Sequence, residues 1–209
     1  GSVRRDLVRR DWEVGAHTPV VGMGAHFVPW KNHGLFLRTA VKVLESEPTA
    51  RFVIAGADVS GGHAVYERAI RDLAEEDILR DKITFLGLCN DMPGFYGALD
   101  VFCHPALAEP FGRSVVEAMS AGCPVVACKD AGPAELIREG VDGWLVPPND
   151  SATMAARVCE LLRSAQLRRQ FGASAAARAR EQFDIRRTAE GVLRLYSEIA
   201  ASGGGGGAA

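Results

Sequence analysis

Short apolar runs alternate with longer segments of helical periodicity along most of the chain. The apolar runs are rich in valine and isoleucine, as expected of buried strands. They are Val20 to Phe27, Arg51 to Gly56, Lys82 to Leu88, Asp100 to Pro105, Pro124 to Cys128 and Trp144 to Pro148. Each run precedes a segment of helical period, the first of which begins at Leu35. About six strand and helix units therefore follow one another.

The predicted strands are apolar throughout instead of alternating apolar with polar residues. This pattern is typical of parallel sheets whose two faces are both covered by helices. It predicts an α/β fold, a doubly wound and mostly parallel Rossmann-like sheet of about six strands. Beyond Ala165 only helical periodicity remains, interrupted near Phe183 and Asp184. We expect these two segments to form a C-terminal helical pair that packs on the domain.

One globular domain is predicted over residues 3–201. The 209 residues, 47% of them hydrophobic and 24% charged, suffice for one buried core. We interpret Gly1 and Ser2 as a cloning remnant and the glycine-rich residues 202–209 as a flexible tail.

The charge balance gives no indication of a polyanionic partner. The chain carries 24 basic and 26 acidic side chains, so we expect no binding to nucleic acid. No apolar run approaches the roughly 18 to 20 residues of a membrane span, and no signal peptide is recognisable. The five cysteines include no CxxC pair, which argues against a disulfide framework or a zinc site. These features predict a cytoplasmic protein.

The residues that carry chemistry lie where predicted strands run into helices, the edge that holds the ligand crevice of a doubly wound sheet. The segment EPFGRSVVE places Glu109 in a loop and Glu117 about one turn inside the next helix. Free amide groups at the start of that helix would face an anion such as phosphate. Ionised carboxylates on either side would accept hydrogen bonds from hydroxyls. The segment therefore predicts subsites for a sugar, a diphosphate and a ribose.

The longer segment EPFGRSVVEAMSAGCPVVA resembles the EX7E motif of retaining glycosyltransferases with the GT-B fold, in the family called GT4 or group 1. Three further segments resemble that family: VGMGAHFVPWKNH its first strand and basic loop, ITFLGLCNDMPGFYGALDVFCHPAL its nucleotide side, and AGPAELIREGVDGWLVPPND its late strand and turn. Together they cover most of residues 20–150. The resemblance implies the C-terminal half of a GT-B enzyme, which binds the nucleotide sugar.

The resemblance also implies a role for each matching residue. Glu109 would accept from hydroxyls of the donor sugar, Glu117 would hold the ribose, and Lys31 would offset charge on the departing diphosphate. The other candidates would act mainly through backbone groups and packing: Phe111 and Gly112 near the sugar and diphosphate, Ser114 and Val115 at the diphosphate, Leu88 and Cys89 at the base. Glu135 faces the nucleotide if the resemblance holds there, or else caps the next helix.

One position departs from the family's pattern, because the family usually carries an arginine where this chain has His26. An arginine is always charged, whereas a histidine near neutral pH is charged only part of the time. We expect His26 to lie at the diphosphate and to stabilise it less than an arginine would. His26→Ala should then change donor binding between neutral and mildly acidic pH.

The resemblance implies transfer of a glycosyl group from a UDP-, GDP- or ADP-sugar to an acceptor hydroxyl, with retention at the anomeric carbon. No cofactor and no metal are expected, since no acidic pair in the crevice resembles a DxD metal site. An acceptor-binding N-terminal half would precede Val3, and through it the protein could associate peripherally with a membrane. The isolated chain is expected to bind the donor without transferring the sugar.

Two other functions stay open at this point. A non-catalytic nucleotide-binding or assembly module could keep the same scaffold, although the presence of both Glu109 and Glu117 argues against it. Half of an NAD-dependent enzyme is suggested by Gly22 and Gly24 after the first strand. The third glycine of the dinucleotide fingerprint is absent, however, and no acidic residue ends the second strand at the fingerprint position.

Overall fold

Six parallel strands form the central sheet of the structure, a computed structural model that describes residues 2–203. Their order across the sheet is β3-β2-β1-β4-β5-β6. The strands are β1 (Val20–Gly24), β2 (Arg51–Ala55), β3 (Ile83–Gly87), β4 (Val101–His104), β5 (Val125–Cys128) and β6 (Gly143–Val146). The predicted doubly wound α/β sheet is confirmed. Dinucleotide-binding domains share this strand order, so the topology alone does not identify the ligand.

Helices connect successive strands and cover both faces of the sheet. Those between strands are α2 (His33–Leu44), preceded by a 3-10 turn (Pro29–Lys31), α3 (Ala64–Ala74), α4 (Met92–Ala98), α5 (Arg113–Ser120) and α6 (Gly132–Leu136). After β6 follow α7 (Ser151–Arg163), α8 (Ala165–Gln182) and α9 (Ile185–Gly203). The predicted terminal pair corresponds to α8 and α9. Helix α9 continues two residues past the predicted domain boundary at residue 201, whereas Gly1 and residues 204–209 lie outside the described residues.

The two terminal helices differ in how they pack. Helix α8 lies against α5, where the glycines of the two segments meet: a Cβ on Gly172 would come within 2.2 Å of the Gly122 carbonyl oxygen. Helix α9 leaves its larger apolar side chains exposed, namely Ile185, Val192, Leu193, Leu195, Tyr196 and Ile199. Among the side chains whose burial is described, only those of the first helix of the predicted pair contribute to the core, through Phe171, Ala175 and Ala179.

The apolar pattern does not predict helix α1 (Ser2–Asp11). Its four arginines and two aspartates leave it without an apolar stripe. Arg9 attaches it to the sheet: the buried guanidinium donates to the carbonyls of Ala98 and Thr18 and to Asp100 Oδ2, each at 2.8 Å. Polar contacts across a long sequence separation thus hold this helix, and they leave no periodic signal in the sequence.

The core consists of one apolar cluster on each face of the sheet. Successive residues of β2 point to opposite clusters, with Phe52 and Ile54 in one and Val53 and Ala55 in the other. All four are buried. Because both faces are covered, the strands have no polar face, which accounts for the continuous apolar runs in the sequence.

Strand β1 ends at Gly24, earlier than the apolar run that continues to Phe27. The chain after it passes close to the end of β2, where Gly56 adopts a φ of +148°. A Cβ at that position would lie 1.8 Å from the Ala25 carbonyl oxygen, so only glycine fits. This close approach shapes one wall of the crevice at the carboxyl ends of the strands.

Candidate functional site

A cleft of about 580 Å³ opens at the carboxyl ends of the strands, beside the point where β1 and β4 are neighbours. Most of the predicted site residues line it: His26, Lys31, Leu88, Cys89, Glu109, Phe111, Gly112, Ser114 and Glu117. The wall also includes side chains that the sequence analysis does not assign to the site, namely Met92, Tyr96 and Arg113. The fold therefore gathers residues from the ends of four strands into one pocket.

Two of the predicted donor-binding residues lie outside the cleft. Val115 is fully buried in the core, and its amide donates to the Gly112 carbonyl at 2.9 Å. One residue corresponds to roughly 100° of rotation around a helix, so Val115 faces the sheet while Ser114 faces the cleft. The Glu135 side chain is exposed in the first turn of α6, where a carboxylate complements the helix dipole, and no side-chain capping hydrogen bond is recorded at this helix start.

Three hydrogen bonds fix the loop between β4 and α5 to two neighbouring segments, one after β1 and one after β5. The Leu107 amide donates to the Trp30 carbonyl at 2.8 Å, and the Ala108 amide donates to Asp130 Oδ2 at 2.6 Å. The carbonyl of Glu109 accepts from the Gly132 amide at 2.9 Å. These bonds fix the backbone that carries Glu109, so its carboxylate has a defined place in the cleft.

The carboxylate of Glu109 forms an ion pair with Lys31. Partial burial alone would raise the pKa of Glu109, but the hydrogen bond and charge of Lys31, the nearby His104 and the Gly112 amide together lower it below the ordinary 4.5. Glu109 is therefore ionised at neutral pH and acts as a hydrogen-bond acceptor only. The sequence predicted a basic loop around Lys31, and the structure forms a short 3-10 turn there.

His104 lies directly behind this pair. It is 2% exposed, its Nδ1 lies 3.3 Å from Ser114 Oγ, and its Nε2 lies 3.7 Å from Glu109 Oε2. Burial lowers the pKa of His104 to about 4, although the charge of Glu109 acts in the opposite direction. A neutral imidazole at this place hydrogen-bonds with Ser114 and packs behind Glu109 without adding a charge to the cleft, and its Nε2 has no hydrogen-bond partner among the described residues.

The start of helix α5 offers donors to an anion. Gly112 precedes the helix with a φ of +99°, and the amides of Val115 and Val116 donate back to its carbonyl. Among residues 2–203, no acceptor is recorded for the amides of Arg113 and Ser114. These two N–H groups and the Ser114 hydroxyl line the cleft side of the helix start, where the helix dipole favours negative charge.

Glu117, one turn further along α5, is held by a tyrosine. Tyr96 Oη donates to Glu117 Oε2 at 2.9 Å. The tyrosine is 2% exposed and packs edge-on against Phe95 and Phe102. Burial, and next the carboxylate of Glu117, raise the pKa of Tyr96, so the phenol keeps its proton. A tyrosine in the short apolar segment MPGFYGAL signals a buried hydroxyl that needs a partner, but the sequence does not say which one.

Two further basic side chains stand at the rim. His26 and Arg113 are both exposed and line the cleft. Within the described part of the chain Arg113 has no recorded hydrogen bond or ion pair. The sequence alone indicates that Arg113 is a solvated helix residue. Its position in the wall of the cleft is seen only in the folded structure.

The far wall of the cleft is largely apolar. Leu88 and Cys89 follow β3, and Met92 opens helix α4. Leu88 is 65% exposed, which is high for a leucine in a lined cleft. This wall suits a flat, weakly polar group such as a nucleobase.

All five cysteines of the chain are free thiols. Cys103, Cys123, Cys128 and Cys159 are buried, whereas Cys89 in the cleft is half-buried. Across residues 2–203 no group of three or more potential ligands is placed to hold a metal ion. In the same range no helix has the length and apolar character needed to cross a membrane.

The sequence matches known glycosyltransferases over most of its length. The profile of the family Glycosyl transferases group 1 aligns with residues 5–178. A phosphatidyl-myo-inositol mannosyltransferase of Mycobacterium leprae is 34% identical over 188 residues, which cover 88% of this chain and 47% of that protein. A D-inositol 3-phosphate glycosyltransferase of Nocardia farcinica is 29% identical, with 92% and 43% covered. The chain thus spans about half the length of these relatives.

Solved structures agree with this assignment. Anabaena Alr3699/HepE in complex with UDP-glucose superposes with a TM-score of 0.88 at 28% identity, over 95% of this chain and 53% of that one. The isolated C-terminal domain of a group 1 glycosyl transferase, LpcC of Francisella tularensis, shares the fold with a TM-score of 0.76 at 24% identity, over 87% and 93%. With the family profile covering residues 5–178, this chain belongs to the glycosyl transferases group 1 family.

Proposed function

We propose that this chain is the donor-binding, C-terminal domain of a retaining GT-B enzyme of family GT4, and that EPFGRSVVE is its EX7E motif. The observation that carries the proposal is the arrangement around the start of α5. Glu109, paired with Lys31, lies before the helix, and Glu117, held by Tyr96, lies one turn inside it. Two ionised acceptors on either side of free amide donors suit a sugar and a ribose joined by a diphosphate.

Each part of a nucleoside diphosphate sugar then has a place in the cleft. The amides of Arg113 and Ser114 bind the diphosphate, and Glu117 accepts from the ribose hydroxyls. Glu109 and the backbone of Phe111 and Gly112 bind the sugar. The wall of Leu88 and Cys89 packs against the base, and His26 stands beside the diphosphate. UDP is the first nucleotide to test, because the similar Anabaena protein forms complexes with UDP and UDP-glucose.

The chemistry proposed for the complete enzyme is stabilisation of the leaving group. As the bond from the anomeric carbon to the diphosphate breaks, negative charge develops on the phosphate oxygens. Lys31, the helix amides and, in part, His26 are placed to stabilise that charge. Because the charge is larger in the transition state than in the bound substrate, these contacts lower the activation barrier, which equal binding of both states would not do. Attack of the acceptor hydroxyl on the face from which the diphosphate leaves would retain the configuration, with a phosphate oxygen taking the proton.

The acceptor and its binding residues are assigned to a further domain, since the proposed half supplies only donor contacts. On this proposal the chain by itself binds the donor and transfers no sugar. A nucleotide sugar needs no resident metal here, because the diphosphate charge is met by Lys31 and backbone amides. Peripheral membrane association and the cytoplasmic location belong to the same proposal about the whole enzyme.

Isothermal titration calorimetry with UDP, GDP and ADP tests the proposal. We expect one of the three to bind with a dissociation constant in the micromolar to millimolar range, and Glu117→Ala to weaken it at least tenfold. Glu139→Ala, which removes an exposed carboxylate outside the cleft, is the matched control. Absence of binding by all three nucleotides would overturn the proposal. Quenching or enhancement of NADH fluorescence on mixing would instead support the dinucleotide-binding alternative.

A further inference from the structure

Tyr96 is the only recorded partner of the Glu117 carboxylate within residues 2–203. Glu117 itself is exposed on the cleft wall, so without a partner its side chain would populate several rotamers. The 2.9 Å bond from Tyr96 Oη selects one of them. The tyrosine is able to do so because its own ring is immobilised between Phe95 and Phe102, with centroids 5.3 and 5.2 Å away.

We infer that Tyr96 is a positioning residue that makes the cleft selective for ribonucleotides, by fixing the Glu117 carboxylate where it accepts from the ribose hydroxyls. The inference rests on the proposed function and deepens it at one subsite. Tyr96 acts through Glu117 and not on the reacting atoms.

The chemical nature of Tyr96 as the partner of Glu117 matters for ribose binding as much as the hydrogen bond itself. A carboxylate has about four acceptor positions, and the phenol occupies one of them, which leaves enough for two hydroxyl groups. Unlike Lys31 at Glu109, the phenol is neutral, so it orients the Glu117 carboxylate without placing a cation beside it. The phenol donates reliably because burial and the carboxylate itself keep it protonated.

Preorganisation is the physical advantage of this arrangement. A free glutamate would lose rotamer entropy on binding a ribose, whereas Glu117 has already lost it in the folded protein. Only a ligand that carries the ribose hydroxyls binds more tightly because of this lower entropy cost. A nucleotide without them gains nothing from the oriented carboxylate, so the effect of Tyr96 should be visible as discrimination between two ligands.

The test compares UDP with 2′,3′-dideoxy-UDP by calorimetry on wild type, Y96F, E117A and the double variant. We expect wild type to prefer UDP by roughly tenfold or more, and Y96F to reduce that preference by roughly threefold to tenfold. Binding of the dideoxy nucleotide should change less than twofold. The double variant should match E117A, because the tyrosine then has no side-chain acceptor left to position.

Y66F is the matched control. It also removes a half-buried phenolic hydroxyl, one that contacts the His33 amide at 3.2 Å and lies outside the cleft, and it should leave the preference unchanged. Y96F retains the aromatic ring, and a ratio of two ligands on one preparation is insensitive to the folded fraction. E117D breaks the same bond from the other side by withdrawing the carboxylate one methylene, and it should reduce the preference as well.

Three results would overturn the inference in distinguishable ways. Equal weakening of both nucleotides by Y96F would make Tyr96 a direct contact or a packing residue. Equal binding of both nucleotides by wild type would remove ribose recognition by Glu117 while leaving donor binding intact. Binding of neither, with GDP and ADP also failing to bind, would overturn the proposed function, and the role of Tyr96 with it. If GDP or ADP is the nucleotide that binds, the same comparison is made with its 2′,3′-dideoxy form.

Discussion

Lys31 and Glu109 stand 78 positions apart in the sequence and form an ion pair in the wall of the cleft. The lysine follows β1 and the glutamate follows β4, so the pair bridges the two strands at which the strand order reverses. The pair places a cation beside the proposed diphosphate and holds the carboxylate that faces the proposed sugar. Both functions depend on one contact.

We expect Lys31→Met to weaken UDP binding about tenfold, because it removes a cation at the diphosphate and releases Glu109. The lowered pKa of Glu109 stabilises the fold above its ordinary value of 4.5, and that stabilisation is lost as the pH falls through the folded-state value. Urea unfolding should therefore show a stability difference between wild type and variant at pH 7 that narrows below pH 4.5. Lys129→Met, which removes an exposed ion pair with Glu139, should show neither effect.

Because of His104 and His33, the free energy of unfolding should fall in mild acid. Burial lowers the pKa of each to about 4 from 6.5, so the unfolded chain binds protons in this interval that the folded protein does not. Stability should fall from about pH 6.5 towards pH 4, by on the order of 3 kcal/mol for each histidine. His104→Gln should flatten the pH dependence of the unfolding free energy. A profile unchanged by this substitution would contradict the neutral, buried imidazole.

Gly132→Ala should damage the loop that carries Glu109. A Cβ on Gly132 would lie 2.3 Å from the Phe111 carbonyl oxygen, a backbone atom that cannot move without shifting the loop. We expect a loss of about 2–4 kcal/mol in the free energy of unfolding, together with weaker UDP binding. Gly97→Ala is the control: its Cβ meets nothing within 4 Å, and it should stabilise helix α4 by up to about 1 kcal/mol.

Arg113→Gln tests whether the guanidinium at the rim meets the diphosphate. We expect UDP binding to weaken about fivefold to tenfold and its dependence on salt concentration to diminish, while uridine binding stays the same. Calorimetry at two ionic strengths measures both. Arg180→Gln, on the exposed side of helix α8, is the control and should leave UDP binding unaltered. Equal losses for UDP and uridine would show that the arginine acts on the fold.

The sheet was predictable because its signal is local. Apolar runs such as Arg51 to Gly56 indicate burial on both faces directly, whereas the order of the strands across the sheet depends on contacts between distant segments. The residues of EPFGRSVVE were likewise predictable as neighbours, since only seven residues of chain separate Glu109 from Glu117. The sequence identified these carboxylates and not their partners. Lys31 was expected at the diphosphate, and its pairing with Glu109 depends on how two distant loops meet.

Other features escaped prediction for the same physical reason. Tyr96 and Arg9 act through hydrogen bonds to distant residues, among them Glu117, 21 positions from Tyr96, and Asp100, 91 positions from Arg9, and such contacts leave no periodicity in the sequence. Val115 was expected to present its first-turn amide to the diphosphate, but that amide donates to the Gly112 carbonyl and the side chain lies in the core. Glu135 was placed on the nucleotide side by resemblance, and the short helix α6 leaves its side chain exposed outside the cleft.

Because four of the five thiols are buried, the reactivity of Cys89 can report whether the cleft is occupied. Burial raises the pKa of Cys103, Cys123 and Cys128, the last to about 11, which suppresses the reactive thiolate, and Cys159 is buried as well. Cys89 alone is partly accessible, on the wall proposed for the base. A maleimide dye added to the folded, unaltered protein should therefore label one position. A nucleotide that occupies the cleft would slow that labelling, giving a way to screen donors without engineering a probe.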